Sequence, residues 1–291
     1  MKAIVFDLGI TVKDVIEQPI NKDFVMVTPS TVLFTGLENA IYTGFLWVEP
    51  KRILGSTGIV KIRNVGIEVD KNIEGKNAVV LPYSKKYGGI GTEIDGILSE
   101  YAVIPEDSIV VLPDNFNIKY VLYPFVSIGL QLRKIVKGFN VLIVGGGLVS
   151  YISSLALVGY ASRVYLYNDE GYKVRLYGVE EIKDGGSWDI IFAGSMRSWI
   201  RVALQFSSKE GDILALPKFL NSWPAIIPTR LNVRLIEPMK MDGVFEFIDD
   251  EITDKIFQEL VVSSDSLESS IPTPKPGVLF NAEKFFSARR S

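Results

Sequence analysis

The chain has 291 residues, 47% of them hydrophobic and 22% charged, a composition that supports a soluble globular protein with a substantial core. Its net charge of −3 gives no electrostatic footprint for nucleic acid or for an anionic membrane. It contains neither His nor Cys, which excludes disulfides, thiol nucleophiles, imidazole bases and both usual kinds of zinc site.

Residues 1–118 read as short strands broken by turns: "MKAIVFDL", "FVMVTPSTVLF", "GSTGIVKIRNVG", "NAVVLPYS", "ILSEYAVIP" and "SIVVLP". Alternation, β-branched residues and Gly/Pro/Asn punctuation predict a β-rich, barrel-like unit. From residue 119 the texture changes. "IKYVLYPFVSIGLQLRKIV" has helical spacing, and "NVLIVGG", "SRVYLYN", "WDIIFAG" and "GDILALP" are short apolar runs separated by loops or helices. That rhythm predicts a parallel sheet with crossovers. "DDEITDKIFQELVVSS" reads as one helix with acids in its first turn, and "SSIPTPKPG" as a Pro-rich turn. No apolar stretch has membrane-span length, and "MKAIVFDLGI" opens in a strand-like run without a signal-peptide pattern, so the expected location is cytoplasmic.

The most informative segment is "VLIVGGGLVSYISSLALVGYASRVYLYND", residues 141–169: a strand, a glycine cluster, a small-residue helix and a second strand. In G-x-G-x-x-G terms Gly145 makes the tight turn, Gly147 admits a pyrophosphate, and Ser150 takes the third position, where any small residue lets helix pack on strand. Gly146, Leu148 and Val149 complete the loop and the helix N-terminus, which offers free N–H groups and a positive dipole end. The bland alternative is a glycine turn that no longer binds anything. At the end of the second strand, either Asn168 or Asp169 reaches the place where a ribose hydroxyl is normally held. Asp169 and Glu170 repel a 2′-phosphate while Lys173 and Arg175 attract one, so NAD(H) is slightly preferred over NADP(H). Gly194 and Ser195 follow "WDIIFA" at the ligand-facing end of the sheet. Trp188 and Trp199 read as packing residues.

These features, with "GILSEYAVIPEDSIVVLPDN" (96–115) and its G-x-x-x-E-Y-x-x-x-P spacing, resemble the medium-chain dehydrogenase/reductase superfamily, the zinc alcohol dehydrogenase-like proteins. The resemblance covers nearly the whole chain. It implies an α/β architecture: a GroES-like β-barrel domain over 1–118, completed by 262–291, and a Rossmann doubly wound parallel-sheet domain over 119–261. It also implies zinc, and there the chain departs. Thr35 in "TGLE" stands at the first ligand position and Leu37 at the hydroxyl relay. Gly55, Ser56 and Thr57 replace "G-H-E", and Tyr123 before Pro124 replaces the third ligand. The structural-zinc lobe, residues 83–95, is short and has no Cys.

Two functions follow. The first is a zinc-independent NAD(P)-dependent oxidoreductase resembling the quinone oxidoreductase branch, acting on a small molecule in an interdomain cleft. The hydroxyls of Thr35, Tyr42 and Tyr123 are its candidate proton donors. The second is a non-catalytic relative that keeps only a binding cleft. A different metal held through Glu38 ranks below both. The apolar stretch 220–236 could form an edge strand, and such edges commonly pair subunits in this family, so a homodimer is expected.

Overall fold

The strand Phe24–Phe34, FVMVTPSTVLF, is the spine of the first half of the chain. It pairs antiparallel with Gly58–Val65, Ala102–Pro105 and Gly277–Asn281. Pro29 cannot donate to a ladder, and the register with Gly58–Val65 shifts at Pro29/Thr31. The computed structural model describes residues 1–183, 186–209, 212–222 and 231–289.

The chain divides into two units. The first comprises Met1–Val121, Phe219–Asn221 and Val261–Ser291; the second comprises Leu122–Lys218 and Ser222–Leu260. In the first, seven strands form one sheet in the order Ile109–Val111, Asn77–Val80, Gly58–Val65, Phe24–Phe34, Gly277–Asn281 and Val261–Ser264, with Ala102–Pro105 added on Phe24–Phe34. Inward residues such as Val25, Val27, Phe34, Ile62, Val80 and Ile104 share a core with Phe280 and Phe285 from the chain end. This is the GroES-like barrel that the resemblance implies. The helix Gly36–Tyr42 is fastened to the chain end through Asn39, whose Nδ2 donates to Thr273 Oγ1 (2.6 Å) and whose Oδ1 accepts from Thr273 N–H (2.9 Å).

The second unit is built on six parallel strands in the order Val179–Glu181, Arg163–Tyr167, Asn140–Val144, Ile190–Ala193, Ile213–Pro217 and Asn232–Ile236, a Rossmann sheet. Its central strands are continuously apolar because a parallel sheet is covered on both faces. Leu142, Val144, Ile191, Ala193, Leu214 and Leu216 share one face and pack with Ile200 of the helix Ser198–Ser207. The helices Tyr123–Val136 and Leu148–Leu157 cross closely at Gly129, where a Cβ would stand 2.7 Å from Ala156 Cβ.

Residues 168–178 contain no helix, although they connect two parallel strands. The sheet face there is left with an apolar groove of about 260 Å³, lined by residues that include Tyr167, Ile182, Trp188 and Trp199. One expected helix is not continuous. "DDEITDKIFQELVVSS" is two helices, Val244–Glu251 and Asp254–Leu260, followed by the strand Val261–Ser264. Thr253 Oγ1 accepts from Ile256 N–H (3.2 Å), and this cap starts the second helix afresh. Of the stretch 220–236, residues 223–230 lie outside the described residues, and Asn232–Ile236 ends the sheet order.

Gly129→Leu is expected to overpack the helix crossing and to cost about 1–3 kcal/mol. A urea titration checks this through a lower midpoint at unchanged slope.

Candidate functional site

The glycine cluster follows the strand Asn140–Val144 at the carboxyl edge of the parallel sheet. Gly145 has φ +135°, and a Cβ there would lie 2.5 Å from Ser150 Oγ and 2.8 Å from Ser195 N. A Cβ on Gly194 would lie 2.4 Å from the same Ser150 Oγ. The serine in the third fingerprint position is therefore accommodated between two glycines, fully buried, and its hydroxyl makes no hydrogen bond among the described residues. Gly146 is covered: a Cβ would meet Asn168 Oδ1 at 2.4 Å and Glu170 Cβ at 2.5 Å.

Gly147 is different. Its φ of −83° is open to any residue, and nothing lies within 4 Å of its added Cβ. It is the N-cap of Leu148–Leu157, and no side chain caps that helix. Leu148 and Val149 are buried as side chains, so they offer a ligand only their backbone. An uncapped helix N-terminus beside open space fits a phosphate group, and the protein's own packing does not require glycine at residue 147.

At the end of the strand Arg163–Tyr167 the two alternatives separate. The Asn168 amide is fully engaged: Oδ1 accepts from the N–H groups of Glu170 and Gly171 (both 3.1 Å), and Nδ2 donates to Tyr151 OH (3.1 Å) and Tyr172 O. It closes the turn, which leaves it no group for a ribose. Asp169 faces the glycine loop. Its Oδ1 accepts from Gly146 N–H at 2.8 Å and its Oδ2 from the Ser195 hydroxyl. Arg197 donates to Asp169 O (2.6 Å) and approaches the Glu170 carboxylate at 3.6 Å. The buried Arg201 donates to Ser195 O at 2.9 Å, and burial lowers its pKa to about 10. Lys173 and Arg175 are exposed. Arg197 and Arg201 carry no motif that a sequence reading could find; only the loop position of Ser195 pointed here.

In the first unit, Thr35 is the N-cap of Gly36–Tyr42 in a capping box with Glu38. Glu38 is 1% exposed, and its carboxylate accepts four hydrogen bonds. Thr35 N–H and Oγ1 donate to Oε2 (both 2.9 Å), while Ser56 N–H (3.1 Å) and Oγ (2.7 Å) donate to Oε1. Thr35 and Ser56, two of the positions matched to zinc ligands, are thus brought together, with their hydroxyl hydrogens directed at Glu38. The T-x-x-E spacing in "TGLE" signals the capping box, but nothing in the sequence signals the link to Ser56. Tyr42 is 53% exposed on the last turn of its helix. Tyr123, in the second unit, is buried; its hydroxyl donates to Met241 O and accepts from Met241 N–H (both 2.9 Å). Desolvation raises its pKa, opposed by the Met241 hydrogen bond and reinforced by Asp242 and Glu246. Among the described residues no three His, Cys, Asp or Glu side chains cluster as a metal site.

Desolvation, then the Asp169 charge, raises the Glu170 pKa above its ordinary value, and Arg197 only partly offsets this. The fold therefore disfavours the ionised form, and the cost appears as pH rises from the ordinary carboxylate value through the raised one. Glu170→Gln is expected to raise Tm relative to the parent at neutral pH and to lose that advantage below about pH 4. Thermal melts of both proteins across pH check it, and a pH-independent gap would contradict the assignment.

No protein-family model matches the sequence, and a search of curated proteins returns no match. Solved structures do match over nearly the full chain. A putative zinc-binding dehydrogenase from Sinorhizobium meliloti bound to NADP has TM-score 0.66 at 17% identity, covering 96% of this chain and 98% of that one. Acetophenone reductase from Geotrichum candidum in complex with NAD has TM-score 0.66 at 15% identity, covering 96% of each. A thermostable alcohol dehydrogenase from Pyrobaculum aerophilum has TM-score 0.68 at 16% identity, covering 97% and 99%. The chain therefore shares its fold, a GroES-like barrel unit and a Rossmann unit, with these dehydrogenases and reductases.

Proposed function

We propose that the chain is a nicotinamide-dependent oxidoreductase that works without zinc. The observation that carries this reading is Gly147: a glycine at an uncapped helix N-terminus, where an added Cβ would meet no atom of the described residues within 4 Å beyond its immediate chain surroundings. There the backbone of Gly147, Leu148 and Val149 would hold the pyrophosphate, and Asp169, steadied by Gly146 and Ser195, would receive a ribose hydroxyl. The nicotinamide would supply the hydride chemistry, while the protein supplies binding and orientation. Two carboxylates at the strand end, Asp169 and Glu170, favour NAD(H) over NADP(H), with Arg197 beside them as the opposing charge. The neighbours named as NAD and NADP complexes support a cofactor of this class without deciding between the two.

Of the candidate proton donors, Thr35 and Tyr123 already direct their hydroxyl hydrogens at protein acceptors, and Tyr42 stands exposed. That engagement is the observation favouring the second reading, a relative that binds a nucleotide or small molecule without turnover. The strand Asn232–Ile236 at the sheet edge supports a homodimer in either case.

Fluorescence titration with NADH and NADPH separates the readings. The expected result is saturable binding, tighter for NADH, together with oxidation of the cofactor by a quinone, enone or aldehyde. Binding without turnover would assign the non-catalytic reading, and no binding at millimolar cofactor would sink both cofactor readings. Gly147→Val is expected to keep the parent Tm within about a degree, since its side chain enters open space, and to weaken NADH binding at least tenfold. Gly145→Val, by contrast, is expected to lower Tm by several degrees.

A further inference from the structure

The fold is shared with a neighbour named as zinc-binding, yet the residues at the aligned ligand positions do not fit that metal. Thr35 and Ser56 offer neutral hydroxyl oxygens where zinc sites take thiolate, imidazole or carboxylate. Glu38 alone brings a charge, and its surroundings are arranged for that charge in another way. Four hydrogens converge on its two oxygens: the N–H and hydroxyl of Thr35 on one, and the N–H and hydroxyl of Ser56 on the other. Two of these are backbone N–H groups, which cannot be rotated away. A cation approaching Glu38 would meet the positive ends of these dipoles before it met a free lone pair. Thr35 Oγ1 also accepts from Leu37 N–H (3.2 Å), so its remaining coordination capacity is small.

We infer that Glu38 stands in for a metal ion: it is the anionic centre that ties the start of the Gly36–Tyr42 helix to Ser56, and the site takes up no divalent cation of any kind. A metal ion would hold ligands from these two segments through its positive charge. Here the charge is inverted: a buried carboxylate at the centre is surrounded by donors from the same segments. Asn39, the next residue, binds Thr273, so two adjacent side chains fix the helix to two distant parts of one unit. The inference stands whether or not the chain turns over a nicotinamide cofactor, because the glycine loop belongs to the other unit.

The test combines metal analysis with calorimetry on the full chain. The protein is equilibrated with zinc, magnesium or manganese, freed of excess by gel filtration, and assayed by plasma mass spectrometry. Less than a tenth of an equivalent is expected, with Tm unchanged by chelator. Glu38→Gln replaces one acceptor oxygen by an NH₂ group facing a fixed N–H, and is expected to lower Tm by several degrees. Ser56→Ala, which removes one donor, is expected to lower it less. NADH affinity serves as the separate readout for the cofactor reading and should not move in Ser56→Ala. One equivalent of metal that Ser56→Ala releases would overturn the inference. So would a Glu38→Gln protein with the parent Tm, and if that variant does not fold, the parent and Ser56→Ala measurements still decide.

Discussion

A carboxylate removed from water must have its lone pairs filled, and Glu38 is removed almost completely. Its four donors come from two segments some twenty residues apart in the chain, so its burial fixes where both segments run. The helix that carries it also carries Asn39, which grips Thr273 near the end of the chain. Two separated stretches of the barrel are thereby held to one short helix of seven residues. The helix is too short to persist alone, and its capping box and its two side-chain anchors supply what length does not.

The glycine loop obeys a constraint of space rather than charge. Ser150 fits because Gly145 and Gly194, on different strands' ends, both lack a Cβ. A serine at the fingerprint's third position thus depends on Gly194, a glycine far along the chain. Around that packed centre the polar groups are arranged much as they are in the barrel: a carboxylate, Asp169, accepts from a backbone N–H and a serine hydroxyl. Burial of its neighbour Glu170 raises that group's pKa, and Arg197 bridges the pair.

Much of this was legible in the sequence. The strand–glycine–helix–strand run and the change of texture at residue 119 are local signals, and each matches a feature of the fold. The choice between Asn168 and Asp169 was not legible, because it turns on which side chain closes the turn and which faces Gly146. The break within "DDEITDKIFQELVVSS" was hidden for a similar reason: Val261–Ser264 becomes a strand only because Gly277–Asn281 lies beside it. Ser56 meeting Glu38 is a long-range contact between residue types that carry no pairing rule. Arg197 and Arg201 stand in no recognisable motif, and only the folded chain brings them to Asp169 and Ser195.

The crossover without a helix has a consequence for how the second unit opens. Residues 168–178 connect the strand Arg163–Tyr167 to the outermost strand, Val179–Glu181, which holds its neighbour over only three paired positions. A helix laid over that face would have bound both strands to the interior. Here half-exposed aromatic side chains, Tyr167 and Trp188 among them, cover it instead. Amide hydrogens of that outer strand are expected to exchange through small local excursions, and those of Ile190–Ala193 only when the unit unfolds. The crossover without a helix thus leaves the sheet one lightly held flank, and the strand end bearing Asn168 and Asp169 leads directly into it.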